Sequence, residues 1–179
     1  MFYNFRHNIY TQKTAYNKIQ LMKNSQVIGL KESDCKKISE KLNILLANYS
    51  VFYQNTRGSH WNIKGDQFFT LHPKFEELYN NLILKIDAIA ERILTLGATP
   101  AHNYSYYLQM ATIKETREVS DGFKSVENIL NSFKVVINLQ RDLLHLTEKA
   151  GDEGTNSLLS DYIAEQEKEA WMYSAYLRK

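Results

Sequence analysis

The sequence predicts an all-α protein: one bundle of four long helices, with a short extra helix in a long crossover between the second and third. Three observations carry that prediction. Apolar residues recur at three- and four-residue steps through four long segments. Only two prolines and seven glycines interrupt 179 residues, too few for the many turns of a β-rich chain. Hydrophobic residues at 44% and charged residues at 23% match a globular domain with a sizeable core, and argue against a disordered chain.

Residues 1–30 show no sustained periodicity and read as a flexible basic N-terminal tail, with residues 31–179 as the bundle domain. Up to Lys31 the chain carries Arg6, Lys13, Lys18, Lys23 and Lys31 with no Asp or Glu, a local +5. Against a total of +2, the remainder carries −3. Met22, followed by KNSQVIGL, offers an alternative start.

The first long helix is expected over about 34–62, with Ser33 or Asp34 as N-cap and Ile38, Leu42, Leu45, Leu46, Tyr49, Phe52 and Tyr53 as its stripe. The second carries Leu71, Phe75, Leu78, Leu82, Ile86, Ile89, Ile93 and Leu96, and stops at Gly97. Its start lies at Asp66 or Thr70, because Pro73 would lose a backbone bond if the helix began at 66. A crossover of about twenty residues follows, longer than an ordinary turn, and SYYLQMA within it suits a short helix. The third helix spans about 121–150, through Val126, Ile129, Leu130, Phe133, Val136, Ile137, Leu143 and Leu144, and ends at Gly151. The fourth spans about 153–178, with Leu158, Leu159, Tyr162, Ile163, Ala170, Trp171 and Leu177; both Trp171 and Trp61 are expected chiefly as packing residues. Four such helices with one long crossover describe a ferritin-like bundle.

The single cysteine, Cys35, cannot form an intrachain disulfide and fits a reducing compartment. There is no apolar run of about 18–20 residues and no signal-peptide pattern, so a cytoplasmic location is expected.

The chemistry lies on the second helix, in His72, Glu76, Asp87 and Glu91. At about 100° per residue these four share one stripe. His72 and Asp87 are fifteen positions apart, roughly 22 Å along the axis, so one ion cannot take ligands from both on a single helix. The pairs 72/91 and 76/87 share the midpoint 81.5. Two antiparallel copies about a two-fold axis near Asn80–Leu82 would place His72 and Glu76 of one chain against Asp87 and Glu91 of the other. His60, brought back by the short turn between the first two helices, would add a second imidazole. Nitrogen and carboxylate ligands without thiolate suit Fe(II), Mn(II) or Zn(II).

The run His60-Trp61-Asn62-Ile63-Lys64-Gly65, then His72, Phe75, Glu76, Asp87 and Ala90-Glu91-Arg92, resembles the Dps family, the DNA-protecting proteins of starved cells. The likeness extends from about residue 27 through Gly151-Asp152-Glu153-Gly154-Thr155 and Glu169-Ala170-Trp171-Met172 to the C-terminus. It implies a dodecameric shell whose intersubunit sites oxidise Fe(II), preferably with hydrogen peroxide, and store ferric mineral inside. It also implies ligand roles for His60, His72 and Glu76 of one subunit with Asp87 and Glu91 of its neighbour. Glu76 stands where members usually have Asp, leaving its contact direct or through water, and Pro73 is a second departure. Trp61, beside the site, is a candidate to quench stray oxidising equivalents.

Three rival functions separate on sequence features. The peroxide-linked ferroxidase and storage protein rests on the ligand set. A DNA-compacting scaffold would rest on the basic arm, which can neutralise phosphates without reading sequence, although its charge is sparse and the body is acidic. A large ferritin needs Glu-x-x-His motifs inside one bundle, and the third helix, VENILNSFKVVINLQRDLLH, has none. Asp152, Glu153 and Asp161 are read either as solvated caps or as lining an iron pore. His7, His102 and His145 carry no role.

Overall fold

The structure is a computed structural model that describes residues 24–177; the arm from 1 to 23 lies outside the described residues. The described residues form six helices: α1 (Asn24–Val27), α2 (Glu32–Asn62), α3 (Phe68–Thr95), α4 (Tyr104–Met110), α5 (Gly122–Ala150) and α6 (Glu153–Leu177). The expected four long helices are α2, α3, α5 and α6, and α4 is the short helix of the crossover. Helix α2 pairs with α3 and α5 with α6, while α2 and α5 pack together and α4 lies along α2. None of the described helices is long and apolar enough to cross a membrane.

Helix ends follow local chemistry. Asp121 caps α5 by accepting from the Lys124 amide at 2.8 Å. Gly97 and Gly151 sit at φ 85° and 69°, just past α3 and α5. At each, a Schellman pair of bonds satisfies carbonyls that the helix leaves open: Gly97 N to Leu94 O with Ala98 N to Ile93 O, and Gly151 N to Glu148 O with Asp152 N to Thr147 O. Neither Ser33 nor Asp34 is the cap of α2. The helix begins earlier, after Lys31, which makes no side-chain cap bond, and Glu32 and Asp34 instead oppose the positive end of the helix dipole. Helix α3 starts at Phe68 and runs unbroken through Pro73. The bond lost at Pro73 leaves the carbonyl of Phe69 open, and that residue is exposed to water.

The core is continuous along the bundle, with Leu42, Leu45, Tyr49, Phe52, Phe75, Leu82, Ile89 and Phe133 fully buried. Phe52 and Phe133 meet edge to face at 5.1 Å. Buried polar side chains interrupt it, two clusters of them linking helices. The Tyr49 hydroxyl receives hydrogen bonds from the side-chain amides of Gln140 and Gln166, joining α2, α5 and α6. The buried Lys85 donates to Asn81 and to Glu165, both at 2.6 Å. Three asparagines of α2 pin the crossover: Asn43 bonds Thr99 and Ala101, Asn48 accepts from Thr112 and Ile113, and Asn55 bonds Lys114 and Thr116. Side-chain amides thereby supply the backbone partners that an irregular segment lacks.

Trp171 departs from expectation. It is 67% exposed, because its position on α6 turns away from the α5 and α2 faces that the helix buries through Leu159, Ile163 and Gln166.

Candidate metal centre

The last turn of α2 leaves carbonyls without helical partners, and the turn after it returns the chain so that α3 starts alongside. His60 and His72 exploit this. His60 Nδ1 donates to the His72 carbonyl at 2.8 Å, and His72 Nδ1 donates to the His60 carbonyl at 2.9 Å. A carbonyl oxygen can only accept, so the proton sits on Nδ1 in both rings. In the neutral imidazole each Nε2 then carries a free lone pair, the state a metal needs. The rings stack at 3.8 Å and 21°, and Phe68 stacks on His72 at 4.8 Å.

Glu76 lies one turn beyond His72, exposed, and accepts a long 3.4 Å hydrogen bond from the Tyr79 hydroxyl. Tyr79 also meets the His60 ring edge to face at 5.3 Å. Its phenol is pushed above the usual value, first by desolvation and then by the Glu76 carboxylate beside it.

Asp87 and Glu91 stand on the same face of α3, exposed, far from the histidines of their own chain. Among the described residues of one chain, no three His, Cys, Asp or Glu side chains converge closely enough to hold an ion. The chain thus brings His60, His72 and Glu76 to one end of the stripe and leaves Asp87 and Glu91 at the other. Between and beyond them the stripe exposes apolar side chains: Phe69 is 88% exposed, Leu94 52% and Ile83 41%. On a wheel of about 100° per residue these three lie within about 20° of Glu76. Together these three make an exposed apolar line beside the candidate ligands.

This fold has counterparts among known proteins. The family model for a ferritin-like domain matches residues 39–179. The crystal structure of the Dps protein from Vibrio cholerae O1, described as a member of the ferritin-like diiron-carboxylate proteins, superposes with a TM-score of 0.83. It is 54% identical and covers 84% of this chain and 95% of its own. The DNA protection during starvation protein of Porphyromonas gingivalis is 39% identical over 154 residues, 86% of this chain and 97% of that protein. The chain belongs to the Dps family of ferritin-like proteins. A Haemophilus influenzae protein is also similar, 51% identical over 148 residues, covering 83% of this chain and 92% of that protein.

In this Dps-family chain several site neighbours escape a reading by motif. Tyr79 is one, although its spacing of three from Glu76 puts it on the adjoining strip of α3. Arg57 is another, with its guanidinium 5.2 Å from the Tyr53 ring and 4.6 Å from the Trp61 ring. Trp61 itself is 58% exposed and so is not a core residue in one chain. Asp152 is neither a solvated cap nor free to line a pore: it is buried, caps α6 through the Thr155 amide at 3.0 Å, and pairs with Arg92. Glu153 and Asp161 are exposed, as are His102 and His145.

Proposed function

We propose that this chain is a subunit of a Dps-type iron-storing cage. Its ferroxidase site, where two copies meet, oxidises Fe(II) with hydrogen peroxide or oxygen in the cytoplasm, and ferric mineral collects inside a shell of twelve. Iron storage and DNA protection are the roles of the family.

One observation carries the reading: the exposed stripe of α3 is self-complementary about one point. His72 with Glu91 and Glu76 with Asp87 have the midpoint 81.5, and so do Phe69 with Leu94 and Asn80 with Ile83. An antiparallel copy therefore covers each exposed apolar residue while it brings carboxylates to imidazoles. Burying such groups contributes about 25 cal/mol per Å² of apolar surface, which favours the pairing before any metal arrives.

Each residue's part follows from its chemistry. His60 and His72 present Nε2 lone pairs, while their Nδ1 protons are held by main-chain oxygens, so binding Fe(II) requires no tautomer change. Glu76 and the partner copy's equivalents of Asp87 and Glu91 supply negative charge that stabilises Fe(III) over Fe(II). Two ferrous ions held together give peroxide both electrons at once, yielding two hydroxides and two ferric ions and no hydroxyl radical.

The test follows ferric absorbance after Fe(II) is added with peroxide or with oxygen. The native protein is expected to oxidise iron rapidly and the double variant His72→Ala, Asp87→Ala slowly; equal rates overturn the site.

A second reading, non-specific DNA binding, rests on the +5 arm. Removal of the arm, residues 1–31, should abolish gel retardation of duplex DNA at low salt and spare iron oxidation. Full-length protein that fails to retard DNA even at low salt rejects it.

A further inference from the structure

The ligand end of α3 is surrounded by aromatic rings whose arrangement the two-iron reaction does not use. Tyr79 touches two of the assigned ligands of its own chain, with its ring edge-to-face on His60 at 5.3 Å and its hydroxyl 3.4 Å from Glu76 Oε1. On its other side it meets Tyr53 edge to face at 6.1 Å. Beyond Tyr53 the Arg57 guanidinium lies over the Tyr53 and Trp61 rings.

We propose that Tyr79 is the electron donor of last resort for this site: when peroxide meets a site holding a single ferrous ion, Tyr79, and not the adjacent Trp61, supplies the missing electron. The proposal rests on the ferroxidase reading above.

The electron count makes a donor necessary. Peroxide takes two electrons to become two hydroxide-level oxygens, and one ferrous ion gives only one. Without a second reductant the O–O bond breaks to hydroxide and hydroxyl radical. Tyr79 closes the balance by giving up its phenolic hydrogen atom. One ferrous ion, one peroxide and one phenol become one ferric ion, one hydroxide, one water and one neutral tyrosyl radical. No other oxidant or reductant is needed.

Electrostatics select Tyr79 over its neighbours. A cation over an aromatic face is attracted to its electrons, and makes removal of one of them costlier. Arg57 imposes that penalty on both Tyr53 and Trp61. Arg57 also acts on the Tyr79 phenol from a distance, but among the described contacts no cation lies over the Tyr79 ring, and a carboxylate faces its hydroxyl. The oxidising equivalent is therefore lowest in energy on Tyr79, nearest the site and half-buried. The more exposed Trp61 is held back by its own neighbour.

The experiment is freeze-quench electron paramagnetic resonance on the full-length protein, with one ferrous ion per two-fold site and excess peroxide, and radical yield expressed per ferric ion formed. The native protein and Trp61→Phe are expected to give a tyrosyl signal, which ring-deuterated tyrosine narrows; Tyr79→Phe is expected to lose it. A spin-trap adduct located by mass spectrometry should fall on the peptide containing Tyr79 in native protein. This second measurement holds even if the Phe variant assembles poorly. An unchanged signal in Tyr79→Phe, a tryptophanyl signal abolished by Trp61→Phe, or no protein radical at all in native protein that forms ferric iron at the site overturns the proposal and leaves the ferroxidase reading standing. Equal ferric rates in native protein and the His72→Ala, Asp87→Ala variant overturn both.

Discussion

Arg92 of α3 and Asp152 at the head of α6 form an ion pair, Nη2 to Oδ1 at 2.5 Å, in which the carboxylate is buried and the guanidinium largely so. Arg92 Nε also donates to Thr155 Oγ1, and Thr155 returns bonds from its hydroxyl and amide to the two Asp152 oxygens. The end of the helix that bears Glu91 is thereby tied to the opposite hairpin.

Asp152→Ala should therefore be the costlier of two truncations. It strands a partly buried guanidinium and removes the cap of α6, a loss of about 3 kcal/mol or more. Asp152→Asn keeps an oxygen for the Thr155 amide and should lose less. Denaturant unfolding of the two variants beside the native protein checks the order; equal losses would mean that the charge, not the cap, matters.

Complementation separates a shared site from one contained in a single chain. In assemblies of His72→Ala alone or of Asp87→Ala alone, every two-fold site is damaged. A mixed pair concentrates both lesions in one of its two sites and leaves the other intact. Co-assembled variants should recover ferroxidase activity that neither has alone. No recovery on mixing would contradict the antiparallel pairing.

Tyr49→Phe tests the polar centre of the bundle. The variant takes the acceptor away from the Gln166 amide, while Gln140 Nε2 keeps the Val136 carbonyl and Gln166 Oε1, and Gln140 already has one oxygen without a partner. A loss of about 1–3 kcal/mol is expected, read as a lower denaturation midpoint. An unchanged midpoint would mean that the glutamines pair adequately with each other.

Much of this was legible in the sequence, and the reasons divide by physical range. Helix ends at Gly97 and Gly151 were predictable because only a left-handed residue closes those turns. That His72, Glu76, Asp87 and Glu91 share one face was legible because one helix fixes the relative angles of all four residues on α3. Contacts between helices were not. Nothing local marks Asn43, Asn48 and Asn55 as anchors of the crossover, since their partners lie more than fifty positions away. Trp171 was misjudged because an apolar residue at helical spacing reads as core whether a neighbour of the same chain covers it or not. Ser33 and Asp34 looked like caps for the converse reason: the chain before them was read as tail, whereas α1 and its return, with Leu30 N bonded to Ser25 O, start the long helix earlier.

Glu169 gives the fold a pH dependence. Burial first, and Glu165 second, raise its carboxyl above the ordinary value of 4.5, and one of its oxygens is buried without a partner. A carboxyl with a raised folded value binds its proton more tightly in the folded state. The stability it contributes is complete below the unfolded value and is lost as pH rises through the folded one. Glu169→Gln should remove that decline, so that its melting temperature relative to native protein climbs as pH increases from about 4.5 towards neutrality. A constant difference across the range would contradict the assignment.

The mutual embrace of His60 and His72 has a bearing on the order of events in synthesis. Twelve positions separate them, and each is held by the other's main-chain oxygen, so their geometry belongs to one hairpin and is ready before any other subunit is met. Asp87 and Glu91 of the same chain lie on the same face of α3 but farther along it, out of reach of that hairpin's imidazoles. On the proposed reading, a newborn chain would grip ferrous iron only feebly, and full redox competence would arrive together with the companion that completes it.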